Sequence, residues 1–434
     1  MRWWLVAVVL AAGTAIAVPF LVPVAHFIPE IARIASGSLG QPVTITDLKV
    51  HVLPTPRLVA EGVRIGKKGE VVIGELEIVP ELLSLFSGPR AIRLLRAEKV
   101  ELTEAALSIP DRMPKGGEPV PMRRLVLRDV RLQHSALKLP PFNVDAQLGS
   151  GLGVGTARID TSDGALKLLV EPDGAGRTIV KLEGSRWRLP LAAAPLLFDS
   201  LKADGILTGK RLELSNIEGR QYGGTLQGSA RVGWAKSWQV SGTAVLAGVD
   251  LAAAQKALGR DPRLAGKLGA NAKFAATAKS PDQLAGALAV DGPFNVADGI
   301  YHGVDFAKVG DLIGDKGAGG TTRFDELRGV LQLRGKRMRI NNLCLKSSAL
   351  HAAGYVEVAP DQSLTGRLDV AVAKTGGFVG VPVALSGTRQ DPVVRPTAGY
   401  TIGAVVGTVL LPGIGTALGA SAGGAVEGKA GDCK

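Results

Sequence analysis

The sequence predicts a mainly β protein: an elongated, curved antiparallel sheet that forms a groove, with an N-terminal transmembrane helix and a few short helices. Three observations predict it. The first is an internal repeat, which has to be sought before fold class is assigned. Phe198–Val232 and Phe324–Val358 align without a gap. Phe-Asp opens both, Gly209-Lys210-Arg211 meets Gly335-Lys336-Arg337, Asn216 meets Asn342, and Gly228 meets Gly354. The second is a recurring apolar spacing. Met338 and Ile340 alternate, the pattern slips by one residue, and Leu343 and Leu345 alternate again. The earlier copy has Leu212, Leu214 and Ile217, ending on Gly219. The same spacing occurs at Leu58, Ala60, Val63, Ile65, at Val100, Leu102, Ala105, Leu107, and at Leu125, Leu127, Val130, Leu132. Period-two alternation gives a strand one apolar and one wet face. A one-residue slip would reverse the faces unless a bulge or bend restores them. The third is composition. Hydrophobic residues make up 46% of the 434 residues but aromatics only 4%, while Gly numbers 57. That suits turns and bends in a long sheet better than a close-packed globular enzyme.

The elements follow in order. Trp3–Ile28 contains no Asp, Glu, Lys or Arg, more than the roughly 20 residues that span a bilayer. Trp3 and Trp4 stand where an interfacial belt would lie, and Arg2 favours a cytoplasmic N-terminus. The competing reading is a cleaved signal peptide ending near Ala15-Ile16-Ala17. The apolar run continues past that site, which favours an uncleaved anchor. A short helix is expected over Glu30–Gly37, broken by Gly40-Gln41-Pro42, with strands from Val43 to about Ile78. Pro80-Glu81-Leu82-Leu83 predicts a second short helix, and strands resume at Val100. Asp111–Pro121 reads as a loop. Pro and Ala crowd Leu189–Leu197 and interrupt the sheet. Asp250 caps an Ala-rich helix that Gly259 ends, and Asp305 caps another carrying Phe306, Val309, Leu312 and Ile313 on one face. The resulting organisation is an anchor over 1–28, a first β segment over 29–190, a second over 191–395 containing repeats 198–232 and 324–358, and a Gly-rich apolar tail over 396–434. In that tail Gly399, Gly403 and Gly407, and then Gly415, Gly419 and Gly423, recur every four residues, a small-residue helical face. Membrane contact and docking onto the sheet end are both open to it.

The net charge of +12 fits either an anionic membrane partner or simple solubility. Lys and Arg are scattered along strands without interleaved aromatics, so no nucleic-acid partner is expected. No catalytic constellation emerges. Gly419-Ala420-Ser421-Ala422-Gly423 matches the nucleophile-elbow pattern, but no His follows it and no strand precedes it. His26, His51, His134, His302 and His351 are isolated, without a second ligand at metal spacing. No cofactor, metal or enzymatic activity is expected. Cys344 and Cys433 are the only cysteines. In an oxidising compartment they could pair and tie the tail to the second repeat copy, or stay free, with Cys344 at an apolar strand position.

The succession of an apolar anchor, SGSLGQPVTITDLKVHVLPTPRLVAEGVRIG, ELLSLFSG and IRLLRAEKVELTEAAL, followed by FDELRGVLQLRGKRMRINNLCLKSSALHAAGYVEV, resembles the AsmA-like family of bacterial envelope proteins, which is similar to TamB-type and chorein-type proteins. The resemblance implies an inner-membrane anchor with the bulk of the chain periplasmic, and a β-groove carrying phospholipid acyl chains toward the outer membrane. The residue pattern agrees with it. A long single-sided apolar sheet must be covered by a second layer or by a ligand, and few amphipathic helices are available to cover it. With about 20–25 strands some 4.8 Å apart the groove would be on the order of 100 Å long, short enough that an envelope protein partner is expected. The expected groove lining is Leu125, Leu127, Val130, Leu132, Leu212, Leu214, Ile217, Met338, Ile340, Leu343 and Leu345. The alternative is a non-enzymatic envelope scaffold assisting outer-membrane protein assembly, its sheet closed by its own side chains.

Overall fold

The computed structural model describes residues 28–85, 91–109, 121–134, 138–149, 154–189, 196–306, 320–374, 377–399 and 433. The anchor run, the loop of 111–120, the Pro- and Ala-rich break, the helix expected after Asp305 and nearly all of the tail lie outside them. The chain divides into two compact units, one through Ser185 and one from Arg186 onward. Both are almost entirely β, and the described residues hold 22 strands, within the range the sequence led us to expect.

The first unit opens with helix α1 (Ile28–Leu39), longer than expected by two residues at each end. Gly40 ends it at φ 62°, a left-handed C-terminal turn that glycine adopts without a Cβ clash. The strands are β1 (Val43–Thr44), β2 (Asp47–His51), β3 (Arg57–Ile65), β4 (Val71–Pro80), β5 (Ile92–Thr103), β6 (Met122–Gln133), β7 (Phe142–Leu148), β8 (Val154–Thr161), β9 (Leu166–Pro172) and β10 (Thr178–Arg188), the last running into the second unit. β1 and β2 both pair with β3, and each later strand pairs with its predecessor.

Three expectations are corrected here. The helix expected at Pro80 is a 3₁₀ turn at Leu82–Leu85, because β4 continues through Pro80. Strands resume at Ile92, ahead of Val100. The pairing is not antiparallel throughout: β5 and β6 run parallel. Tight turns cannot join parallel neighbours, and the connection leaves β5 through a 3₁₀ turn, Glu104–Ser108. That turn also takes Ala105 and Leu107 out of the strand pattern.

The second unit comprises β11 (Leu197–Thr208), β12 (Arg211–Gln221), β13 (Gly224–Gly233), β14 (Trp238–Asp250), helix α2 (Leu251–Ala257), β15 (Leu264–Ala278), β16 (Ala289–His302), β17 (Thr321–Arg334), β18 (Arg337–Lys346), β19 (Leu350–Val358), β20 (Leu364–Lys374), β21 (Gly377–Gly387) and β22 (Pro392–Pro396). Each strand from β11 to β22 pairs antiparallel with the next. Asp250 caps α2 as the sequence indicated, its carboxylate accepting from the Ala253 N–H at 2.9 Å. The two repeat copies become β11-β12-β13 and β17-β18-β19. Both open with a two-residue Gly-Lys turn, Gly209 at φ 57° and Gly335 at φ 58°, where glycine at the first central position suits a hairpin of right-handed twist.

The one-residue slips are bends built on left-handed residues. In the two copies these are Asn216 (φ 49°) and Asn342 (φ 48°), and the pairing register shifts across each. In the first unit Asp129 (φ 50°) is the bulge, with a register shift against β7, while Gly62 (φ 64°) and Lys99 (φ 55°) are left-handed without a shift in register. Gly, Asn and Asp tolerate this region best. Gly62, Gly74, Lys99 and Asp129 also fall opposite one another across β3, β4, β5 and β6, so the bend is a crease shared by four neighbouring strands. Each left-handed residue returns the apolar side chains beyond it to the face they left.

Candidate functional site

Pairing register makes the apolar face traceable, because cross-strand partners point to the same side. In the first unit a single row reads Ala60, Leu76, Ala97, Leu127, Val144, Ile159, Leu168 and Leu182 over eight strands. Leu125, Val130 and Leu132 belong to adjoining rows of that face, paired with Leu95, Val100 and Leu102. In the second unit one row reads Leu214, Ala230, Gly242, Phe274, Val290, Leu333, Met338, Val358 and Leu364 over nine strands. Leu212 pairs with Val232, Ile217 with Gly228, Ile340 with Leu331 and Val356, and Leu343 with Gly354. A second row, nearer the other ends of the strands, reads Val249, Leu268, Val296, Leu327, Leu345, Ala352, Val370 and Val381. No charged residue interrupts any of these rows. Within each unit, therefore, the residues expected to line the face do share it.

What lies over the face differs from place to place. In the first unit Ile28, Ile31, Ala35 and Leu39 of α1 pack on a cluster of Val43, Leu48, Ala60, Val63, Ile73, Ala97, Val100 and Val130, with Leu127 at its margin. Val130 has no exposed surface. The short helix expected near Glu30 is thus one of the few that cover the sheet, and it does so at this end. In the second unit Leu345 sits in a cluster with Val296, Leu350, Val370, Val383 and Val394, and Met338 and Leu343 pack against it. Arg263, just before β15, donates to the carbonyl of Arg389, just after β21, at 3.3 Å. The later strands thus come back over the start of β15 and bury the second row.

The first row is covered less between Leu214 and Met338, while its last members, Val358 and Leu364, belong to the buried cluster. Leu212, Leu214, Ile217, Leu226, Ala230, Val232, Val240, Ala244, Phe274 and Ile340 are all half-buried. The main contacts between elements there are those of neighbouring strands, of α2 on β14 and β15, and of the 3₁₀ turn Ala285–Ala287 on β15. Small residues deepen this stretch. A Cβ on Gly242 would fall 2.7 Å from the Cζ of Phe274, so the tip of that ring takes the space a side chain would need.

The opposite face is ionic. Arg124 grips Asp145 with both its Nε and Nη2 donors, at 2.9 and 2.6 Å, and that hydrogen bonding holds the Asp145 carboxyl below its usual range. Arg334 pairs with Asp291 at 2.8 Å, and the Arg339 guanidinium lies 5.8 Å from the centre of the Tyr355 ring. A shallow cavity of about 630 Å³ on this side is lined by Lys267, Asn271, Asn295 and Arg328 among others. Lys267 is already bound to Asp250 at 3.1 Å. Among the described residues no cluster of His, Cys, Asp and Glu could hold a metal ion, and no helix is long and apolar enough to cross a membrane.

Cys344 and Cys433 form a disulfide with Cα atoms 5.3 Å apart. Cys344 pairs in register with Arg328 and Ala353, which puts it on the ionic side, while its neighbours Leu343 and Leu345 are on the apolar side. It is not a residue of the apolar face. The sequence signal was available, since Cys344 occupies the odd position between two apolar-face leucines.

No protein-family profile, curated protein or solved structure matches this chain.

Proposed function

We propose that this chain is a lipid-binding and lipid-transfer protein of the bacterial envelope. Its anchor is the uncharged run Trp3–Ile28 in the inner membrane, N-terminus cytoplasmic, with the bulk of the chain periplasmic. Phospholipid acyl chains lie in a groove formed by the apolar face and pass toward the outer membrane. The observation that carries this reading is the half-buried, wholly apolar row from Leu214 to Met338. Leaving these side chains partly exposed forgoes about 25 cal/mol for each Å² that stays wet. A flexible acyl chain recovers that term without presenting any polar group to be satisfied. The aliphatic lining, with no fixed polar anchor inside it, suits chains of varied length and unsaturation. The sequence resemblance to the AsmA-like family points the same way.

A second reading, an envelope scaffold assisting outer-membrane protein assembly, draws on a different observation. The clusters around Val130 and Val370 are closed by the protein's own side chains. Mass spectrometry of an organic extract of the purified full chain separates the two. The lipid-transfer reading expects phospholipid at one or more molecules per chain, after washing that strips detergent-exchangeable lipid. A lipid-free, folded protein would favour the scaffold.

A further inference from the structure

The open apolar row runs alongside one rim of the second unit, and a lysine recurs along that rim. Four successive connections turn at it: Gly209-Lys210 between β11 and β12, Trp234-Ala235-Lys236-Ser237 between β13 and β14, the segment from Lys279 to Leu288 between β15 and β16, and Gly335-Lys336 between β17 and β18. Each carries one lysine. Lys210, Lys236, Lys279 and Lys336 are all exposed, and among the described residues none has an ion-pair partner. Asp282 is the sole acidic residue in the four connections. At the opposite rim the tight turns Tyr222-Gly223 and Ser347-Ser348-Ala349 carry no charge, and the charges of the β14–β15 connection, Lys256, Arg260, Asp261 and Arg263, are of mixed sign.

These turns form a continuous edge. The Trp234 N–H donates to the Lys210 carbonyl at 3.1 Å, and the Gly335 N–H to the Leu288 carbonyl at 2.8 Å. The Trp234 and Trp238 rings stack with centroids 6.0 Å apart. Successive hairpins place one lysine about every 10 Å, two strand spacings. Directly inside the edge lie Leu207, Leu212, Val232 and Val240, which pair across β11 to β14, and then the row from Leu214 to Met338. Cations and indole rings at the boundary of an apolar surface make the composition that meets a lipid headgroup region. An acyl chain filling half of a hydrocarbon core about 30 Å thick is shorter than β12 or β13, whose ten or so residues span about 33 Å.

We infer that Lys210, Lys236, Lys279 and Lys336 form a row of ammonium groups that meets the headgroup phosphates of anionic phospholipids, each lipid held by the lysine nearest it, with the acyl chains against the Leu214–Met338 row. This rests on the acyl-chain reading above and adds a headgroup preference and a polarity to it: heads at this rim, tails inward. Ammonium–phosphate contacts at an exposed rim are individually weak and screened by salt, so the lysines act together and select more than they anchor.

The test uses the full chain in detergent and native mass spectrometry, with phosphatidylglycerol and diacylglycerol of identical chains as probes. The variant is Lys210→Gln, Lys236→Gln, Lys279→Gln and Lys336→Gln combined. A control, Lys256→Gln with Arg260→Gln, removes charge after β14 at the other rim. We expect the fourfold variant to lose phosphatidylglycerol by about tenfold, the sum of several weak surface pairs, and to keep diacylglycerol unchanged. The control should keep both. Inorganic phosphate at millimolar concentration should not displace the lipid, because the tails supply most of the binding. Unchanged phosphatidylglycerol retention in the fourfold variant would overturn the headgroup assignment while leaving the groove standing. Equal loss of both lipids from a variant with wild-type circular dichroism would overturn it as well. A wild-type chain that takes up neither lipid would overturn the groove, and this assignment with it.

Discussion

The two repeat copies share a backbone and differ in the cluster their apolar residues join. β11-β12-β13 and β17-β18-β19 have the same Gly-Lys turn, the same bulge on a left-handed asparagine, and Leu214 and Met338 in the same apolar row. Aligned positions are buried alike: Leu212, Leu214 and Ile217 are half-buried, as are Met338, Ile340 and Leu343, and Gly219 is buried like Leu345. Only in the second copy does a large side chain occupy that last position, and Leu345 there joins a buried cluster on which Met338 and Leu343 lean. At the position where the second copy carries the disulfide-bonded Cys344, the first has Glu218. One repeated strand pattern therefore serves two ends: in one copy a leucine at the buried position joins a closed cluster, and in the other a glycine stands there and leaves the half-buried leucines outside it. Sequence periodicity fixes which face is apolar. Whether that face meets protein or ligand depends on what the rest of the chain lays across it.

Charge placed on the face should separate the two copies most sharply. Leu345→Asp buries an unpaired carboxylate among Val296, Ala352 and Val370 and should abolish cooperative unfolding, a loss of several kcal/mol. Leu214→Asp meets a half-open surface and should retain a wild-type far-ultraviolet spectrum and cooperative melt while losing bound lipid. Equal destabilisation of the two variants would mean that the first copy is as closed as the second.

The disulfide comes next. It joins positions 89 residues apart, and in the chain-entropy model a loop of that size contributes roughly 4–5 kcal/mol. Cys344→Ser should lower the denaturation midpoint by the corresponding amount, and reductant should do the same to the wild type but not to the variant. Two reactive thiols in the denatured, unreduced protein would contradict the bond.

The bulges should behave alike in both copies, because the backbone is common to them. Asn216→Val and Asn342→Val each force a β-branched residue into the left-handed region, at about 1–3 kcal/mol. Asn216→Gly and Asn342→Gly should be close to neutral. Chemical denaturation of the four variants checks this, and a cost confined to one copy would break the equivalence.

The smallest effect is at Asp250, beside the second row. Backbone donation from Ala253, reinforced by Lys267, lowers its pKa. A carboxylate whose pKa is depressed on folding stabilises above its unfolded value, about 3.9, and that stability is lost as pH falls through the folded value. Asp250→Ala should therefore cost about 1 kcal/mol at neutral pH, with the gap to wild type closing below about pH 4.

Much of this was legible in the residues. The slips at Leu58–Ile65, Leu125–Leu132 and in both copies mark real left-handed bends, and in each the residue before the third apolar position is Gly62, Asp129, Asn216 or Asn342. Reading that residue type along with the spacing would have located the bend to a single position. Lys99 gives no such sign: its left-handed backbone is imposed by register with Gly74 and Asp129 on either side. The parallel step between β5 and β6 was hidden because an alternating strand looks the same in either direction. The cover over Val130 and Leu345 was hidden because it comes from α1 and from strands far along the chain, and period-two alternation says nothing about what faces the apolar side.

The central claim is that the open row of the first copy holds an acyl chain. It is tested most directly by equilibrating the full chain with a phospholipid bearing a photoreactive group along one acyl chain, irradiating it, and mapping the adducts by peptide mass spectrometry. Adducts should concentrate on Leu212, Leu214, Ile217, Val232 and Val240, with few on the outward neighbours Glu213 and Arg231 and few on the closed strands around Val370 and Val383. Adducts spread evenly over both faces, or absent from β12 to β14 in a folded protein, would contradict the account.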